Sequence, residues 1–210
     1  MTEVFACLFC MAGCFFICRI MTVKNTFRIQ VRGFQKMTVS WLIVLIWTGS
    51  SCLVMDRQSI AGLAAWVVLS LFLFLPYCQD LLTFTFDWKI WGIYLAVFGL
   101  CFFFLNPMSF SSGMAGVLPA FLMIPFILCY AMGSADFVFM LVFGFLLGFE
   151  RATVCLVLGI LLGLLYAVLI VLFKVKCRLI PFVSALSLAF LIAFYRGYSI
   201  WFFLLKLFTF

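Results

Sequence analysis

Histidine is absent from all 210 residues. That removes Ser-His and Cys-His catalysis, His-ligated metal sites and any imidazole proton shuttle. Acids are scarce as well, with six Asp and Glu together and charged residues at 9% of the chain. Any general acid or base chemistry therefore falls to a handful of carboxylates. The paired-cysteine loop of a zinc site is missing too, although there are ten cysteines. Cys7, Cys10, Cys14 and Cys18 follow one another at helical spacing on one face of the first apolar run. Four thiolates on a single helix cannot close a tetrahedron, so no metal and no cofactor are expected, and the cysteines read as small apolar packing groups. Polar stretches long enough for a soluble domain are lacking. The chain is 69% hydrophobic, where a soluble globular domain is nearer roughly one half.

What is present is a series of apolar runs, each a candidate bilayer span as a helix. The breaks between them delimit Val4–Ile20, Val39–Val54, Ile60–Tyr77, Trp88–Leu105, Met114–Ala131, Phe137–Phe149, Ala152–Phe173 and Leu179–Tyr195. The expected fold is all-α and polytopic, with about eight transmembrane helices, forming a single membrane-embedded domain over 1–210. Val4–Ile20 has no basic residues before it and reads as a retained first helix, not a cleaved signal. The stretch Ile200–Phe210 is too short to cross and is expected at the interface, where Lys206 would sit.

The net charge of +7 sets topology here and is not the footprint of a nucleic-acid surface. If the segment after the first run is cytoplasmic, then Arg19, Lys24, Arg28, Arg32, Lys36, Lys89, Lys174, Lys176 and Arg178 all fall inside, nine of the thirteen cations. Arg57, Arg151 and Arg196 fall outside. Trp41, Trp88 and Trp91 lie near the resulting interfaces, as aromatic belts do.

The same alternation puts two lone acids on the cytoplasmic side. Asp80 ends the third run, and Asp136 follows the turn Met132-Gly133-Ser134-Ala135 after the fifth. Ionisable groups at the edge of a span are functional candidates by default, and small residues before one of them suit a close backbone approach. The pair is a candidate dyad; the plainer alternative is two interfacial charges near head groups. Gly144 and Gly148, and Gly159, Gly163 and Ala167, form small-residue stripes that suit close helix packing.

Four segments resemble the bacterial type IV prepilin peptidases, intramembrane aspartic proteases of the GxGD class, and in particular their short Gram-positive branch. Ala12-Gly13-Cys14-Phe15-Phe16-Ile17-Cys18-Arg19 resembles the first-helix pattern G-S-F-x-x-V-x-x-R. Gln79 to Phe86 resembles the segment with the first catalytic aspartate, and Gly133-Ser134-Ala135-Asp136-Phe137 the GxGD motif with the second. Arg178 to Phe182, with the run on to Gly197, resembles the closing helix. The resemblance makes Asp80 and Asp136 the catalytic pair, with Gly133, Ser134 and Ala135 as the active-site turn.

Three departures stand out. Ala135 replaces the second glycine of GxGD. Asp87 stands where the family has proline, and a third acid in that loop is a candidate modulator of a neighbour's pKa. The cysteine-bearing loop that longer members use for zinc and N-methylation is reduced to Met21–Met37, without a cysteine. The resemblance thus implies a leader peptidase without methyltransferase activity, in a bacterial cytoplasmic membrane with its active site facing the cytoplasm. Its partners would be prepilins or competence pseudopilins and the lipid bilayer; no nucleic-acid partner is expected. The competing reading is a non-catalytic membrane scaffold or small transporter subunit descended from the same fold.

Overall fold

A computed structural model describes residues 2–23, 43–50, 52, 60–83, 86, 88–105, 109–129, 132–172 and 180–208. Among the described residues the chain is helical, without a strand: α1 (Thr2–Val23), α2 (residues 43–50), α3 (Ile60–Thr83), α4 (Trp88–Leu105), α5 (Phe110–Phe121), α6 (Ile124–Leu128), α7 (Ser134–Leu147), α8 (Phe149–Leu172) and α9 (Phe182–Phe208). Three of these helices contain stretches long and apolar enough to cross a membrane, namely Leu63–Leu82, Phe149–Leu169 and Phe182–Leu207. The helices gather into two compact units, Met1–Thr85 and Phe86–Phe210.

In the first unit α1 packs on α3. Cys10, Cys14 and Cys18 are fully buried while Phe9 and Phe16 are exposed, so the cysteine face of α1 is its packing face. Trp47 of α2 lies against Tyr77 and Phe74 of α3, at ring separations of 4.7 and 5.8 Å. Helix α3 runs through Pro76 to Thr83, beyond the expected end of the third run near Tyr77. Asp80 is consequently inside a helix and not in the segment after it.

In the second unit the first half of α9 is the centre, with every residue from Pro181 to Leu191 buried. A helix apolar on all sides suits that position. Its two buried serines return their hydroxyls to the helix, Ser184 donating to the Pro181 carbonyl at 2.6 Å and Ser187 to that of Val183 at 2.9 Å. Aromatic rings join α9 to its neighbours. Phe190 lies 4.6 Å from Phe143 of α7 and 5.5 Å from Phe102 of α4, centroid to centroid. Trp91, expected in an interfacial belt, is buried against Phe86, Tyr94 and Phe139.

Other element boundaries also differ from the sequence reading. The fifth run is two helices, because Pro119 and Pro125 cannot donate to the helical ladder and the chain breaks at Leu122 and Met123. Helix α5 also begins earlier than Met114, at Phe110, where the Ser109 hydroxyl accepts from the Ser112 N–H. The stretch after Ile200 is not a separate interfacial segment: it continues α9, whose 27 residues span about 40 Å at 1.5 Å each.

Glycines set the closest approaches. A Cβ on Gly116 of α5 would collide with the Gly144 carbonyl oxygen of α7, and one on Gly144 would collide with that of Gly116. The two backbones touch directly. On α8, Gly159 and Gly163 receive Leu186 and Phe182 of α9. Gly148 alone among the described glycines has a left-handed backbone, φ 75°, and it forms the turn from α7 to α8, where a side chain would be strained.

Gly116→Ala or Gly144→Ala should therefore destabilise the second unit by about 1–3 kcal/mol or more, the usual range for overpacking. Gly99, with nothing within 4 Å of its added Cβ, is the control; Gly99→Ala should be neutral or gain up to about 1 kcal/mol of helix propensity. Thermal unfolding in detergent reads the difference. A Gly144→Ala protein melting with wild type would refute the backbone contact.

Candidate active site

Asp80 and Asp136 occupy equivalent kinds of position on their helices. On α3, Leu73, Pro76, Tyr77 and Asp80 recur at intervals of three, one and three, which places them on one face, and all four are buried. On α7, Asp136, Phe139, Met140 and Phe143 do the same and are likewise buried. Each acid thus lies on the apolar stripe that its helix turns inward. Asp80 is 5% exposed and Asp136 8%. Among the described residues these are the only buried acids or bases. Glu150 is exposed and Arg151 half-buried.

The turn before Asp136 folds as its composition requires. Gly133 is the N-cap of α7, with φ −80° and ψ 151°, and offers no side chain to the first turn. The reciprocal half of a capping box is present instead. The Asp136 carboxylate accepts from the Gly133 N–H at 2.9 Å, and the Asp136 N–H donates to the Gly133 carbonyl at 3.2 Å. Gly133 and Ser134 are exposed, and Ala135 is half-buried in the first turn of α7. Because residue 135 is helical, alanine there costs this turn nothing. The backbone of Gly133 does not require glycine either, and a Cβ there would meet Asp136 Oδ2 at an ordinary 3.5 Å.

Burial is the dominant influence on Asp136 and raises its pKa from the ordinary carboxylate range to about 6; the Gly133 N–H opposes that shift. The folded chain then holds this proton more tightly than the unfolded chain. The resulting stability is fully present below about pH 4 and is lost as the pH rises through about 6.

Asp80 belongs to the first unit and Asp136 to the second, and each is characterised within its own. Asp87 lies outside the described residues. Among the described residues no three Cys, Asp or Glu side chains gather to hold a metal ion. A cavity of about 230 Å³ lined by Ser112, Leu147, Gly148, Phe149, Glu150 and Tyr198 lies at the far end of α7 from Asp136. The glycines of α5 that seat α7 were not legible as partners, since Gly113 and the serines before it read as loop; the Gly113-x-x-Gly116 spacing was the available signal.

The described structure is that of an all-helical protein with three helices able to cross a membrane, carrying two buried acids on inward-facing stripes. Comparison of the chain with protein-family models, with curated proteins and with solved structures finds no match.

In a titration of labelled aspartate carboxyls by NMR, Asp136 should show a midpoint near pH 6. Gly133→Pro fits the observed φ but removes the opposing N–H, and should move that midpoint further up, while Gly133→Ala should leave it in place. A wild-type midpoint near pH 4 would contradict the burial argument.

Proposed function

We propose that this protein is an aspartic endopeptidase that removes the leader peptide from type IV prepilins or competence pseudopilins at the cytoplasmic face of a bacterial membrane, with Asp80 and Asp136 as its catalytic pair. The observation that carries the reading is the burial of these two acids, alone among the described residues, on the inward stripes of their helices. An acid retained for solubility or topology would sit in water or among head groups. A carboxylate held out of water at a raised pKa is instead the usual condition of a catalytic group. Charge topology supports placing both acids on one side of a multi-pass fold of about eight crossings, and the four motif resemblances support the reaction class.

In the proposed mechanism the two carboxyls share one proton and titrate as a unit. The ionised member takes a proton from water as that water attacks the scissile carbonyl. The protonated member donates a hydrogen bond to the carbonyl oxygen and later helps protonate the leaving amine. This chemistry uses carboxylates alone and suits a chain without histidine. The substrate would present a short basic leader in the cytoplasm followed by an apolar helix in the bilayer. Cleavage without N-methylation is expected, since the segment 21–37 has no cysteine.

The test is co-expression with a prepilin from the same genome, following leader loss by gel mobility and product mass. Asp80→Ala and Asp136→Ala should each lower processing by about a hundredfold or more, and Asp87→Ala should retain it. The mass of the product should show an unmethylated N-terminus. Processing that persists without Asp80 or Asp136 would exclude the pair. A wild-type protein that processes no prepilin would leave the membrane scaffold or transporter subunit as the better reading.

A further inference from the structure

A second reactive place lies in the first unit, away from both acids in sequence. Cys7 on α1 and Cys52, a helical residue two positions after Ser50 of α2, approach with their sulfur atoms 3.4 Å apart, although they lie 45 positions apart in the chain. Both are half-buried. The other described cysteines divide differently. Cys10, Cys14, Cys18, Cys78 and Cys155 are buried, and Cys101 and Cys129 are exposed.

From this geometry we infer that Cys7 and Cys52 form an oxidisable pair, which a disulfide-bearing oxidant converts to an intramolecular disulfide tying α1 to α2. The sulfurs must close by about 1.3 Å to reach bonding distance, a displacement within reach of side-chain rotation. The exchange is balanced. One thiolate attacks the oxidant's disulfide and releases a thiol, leaving a mixed disulfide. The second thiolate attacks that mixed disulfide and releases the other thiol. The protein loses two protons and two electrons, and the oxidant leaves as two thiols.

Charge topology adds a reason for the pairing. With the basic segment between α1 and α2 inside, Cys7 near the start of α1 and Cys52 after α2 both belong to the outer end of their runs. The outer face is the side on which protein disulfides form and persist. The bond would close a loop that carries Lys24, Arg28, Arg32 and Lys36. It would hold α1 and α2 as a hairpin without involving Asp80 or Asp136. The inference is therefore independent of the peptidase reading, and a protein without peptidase activity could still form the bond.

The experiment uses the full chain in native membranes, poised with mixtures of reduced and oxidised glutathione. Thiols are then quenched by alkylation, and the digested peptides are read by mass. A Cys7–Cys52 crosslinked peptide should form at glutathione ratios where Cys101 and Cys129 are still unmodified, and dithiothreitol should reverse it. In Cys52→Ser, Cys7 should instead carry glutathione, and the reverse should hold for Cys7→Ser. Solubilising the chain in SDS before oxidation should abolish the preference for this pair. Separate alkylation or separate glutathionylation of Cys7 and Cys52 in the wild-type protein would overturn the proposal. So would a crosslink from either of them to another cysteine.

Discussion

The direct contact of two helix backbones at Gly116 and Gly144 fixes the position of α7, and much of the second unit depends on it. Any side chain at either glycine would hold the axes apart. With the axes close, Phe139 and Phe143 on the adjoining stripe of α7 reach the rings of Trp91, Phe98 and Phe190. Between apolar helices in a bilayer, such close approach and dispersion contact replace the hydrophobic drive that folds soluble proteins. Asp136 begins the same inward stripe. Its burial is thus a consequence of where α7 is seated, two turns away.

The sequence was informative wherever one residue type has one local use. Gly133-Ser134-Ala135-Asp136 reads as a tight turn ahead of the sixth run, and α7 already starts within it, at Ser134, where Asp136 returns its carboxylate to the Gly133 N–H. The small-residue stripes on α7 and α8 read as packing surfaces: Gly144 meets Gly116 of α5, and Gly159 and Gly163 receive Leu186 and Phe182 of α9, while Gly148 forms the turn from α7 to α8. It was poorly informative where a residue's role depends on a partner distant in the chain. Gly113 looked like loop because Pro107 and three serines precede it, and Gly116 looked like one more residue of an apolar run; only the facing Phe145 and Gly144 make them an interface. Trp91 looked like an interfacial anchor because it stands early in its run, whereas the rings of Phe86 and Phe139 bury it. The count of apolar runs fixed the all-helical class; it could not fix which runs form continuous helices of spanning length.

Helix α9 shows the reason in detail. Arg196-Gly197 is a charge followed by a helix-weakening residue, and in the sequence the apolar run stops before it. In the folded unit Gly197 is a slot and not a break. A Cβ on Gly197 would press on Arg151 Cγ at 2.9 Å. The glycine therefore admits the Arg151 stem, and the guanidinium carbon comes to rest 4.1 Å from the Tyr198 ring centroid. Stacking of that kind lets a cation sit on an aromatic face. One tertiary contact therefore accounts for both the glycine in the middle of α9 and the cation in the first turn of α8.

Asp136 poses the opposite problem, and its solution is what separates a structural acid from a reactive one. A carboxylate in the first turn of a helix is ordinarily stabilised there, because the N–H groups and the helix dipole favour its charge. Such an acid has its pKa lowered and can remain in water. Asp136 accepts its N–H from Gly133, yet its pKa rises to about 6 because burial outweighs that bond. If capping were its whole role, the same hydrogen bond could be made at the rim without desolvating the charge. Holding the group inside costs stability as the pH rises through about 6, and the helix gains nothing from it. What the position does provide is a carboxyl that exchanges its proton near pH 6, closer to neutrality than an ordinary carboxylate, the property that acid–base chemistry by a carboxyl pair requires.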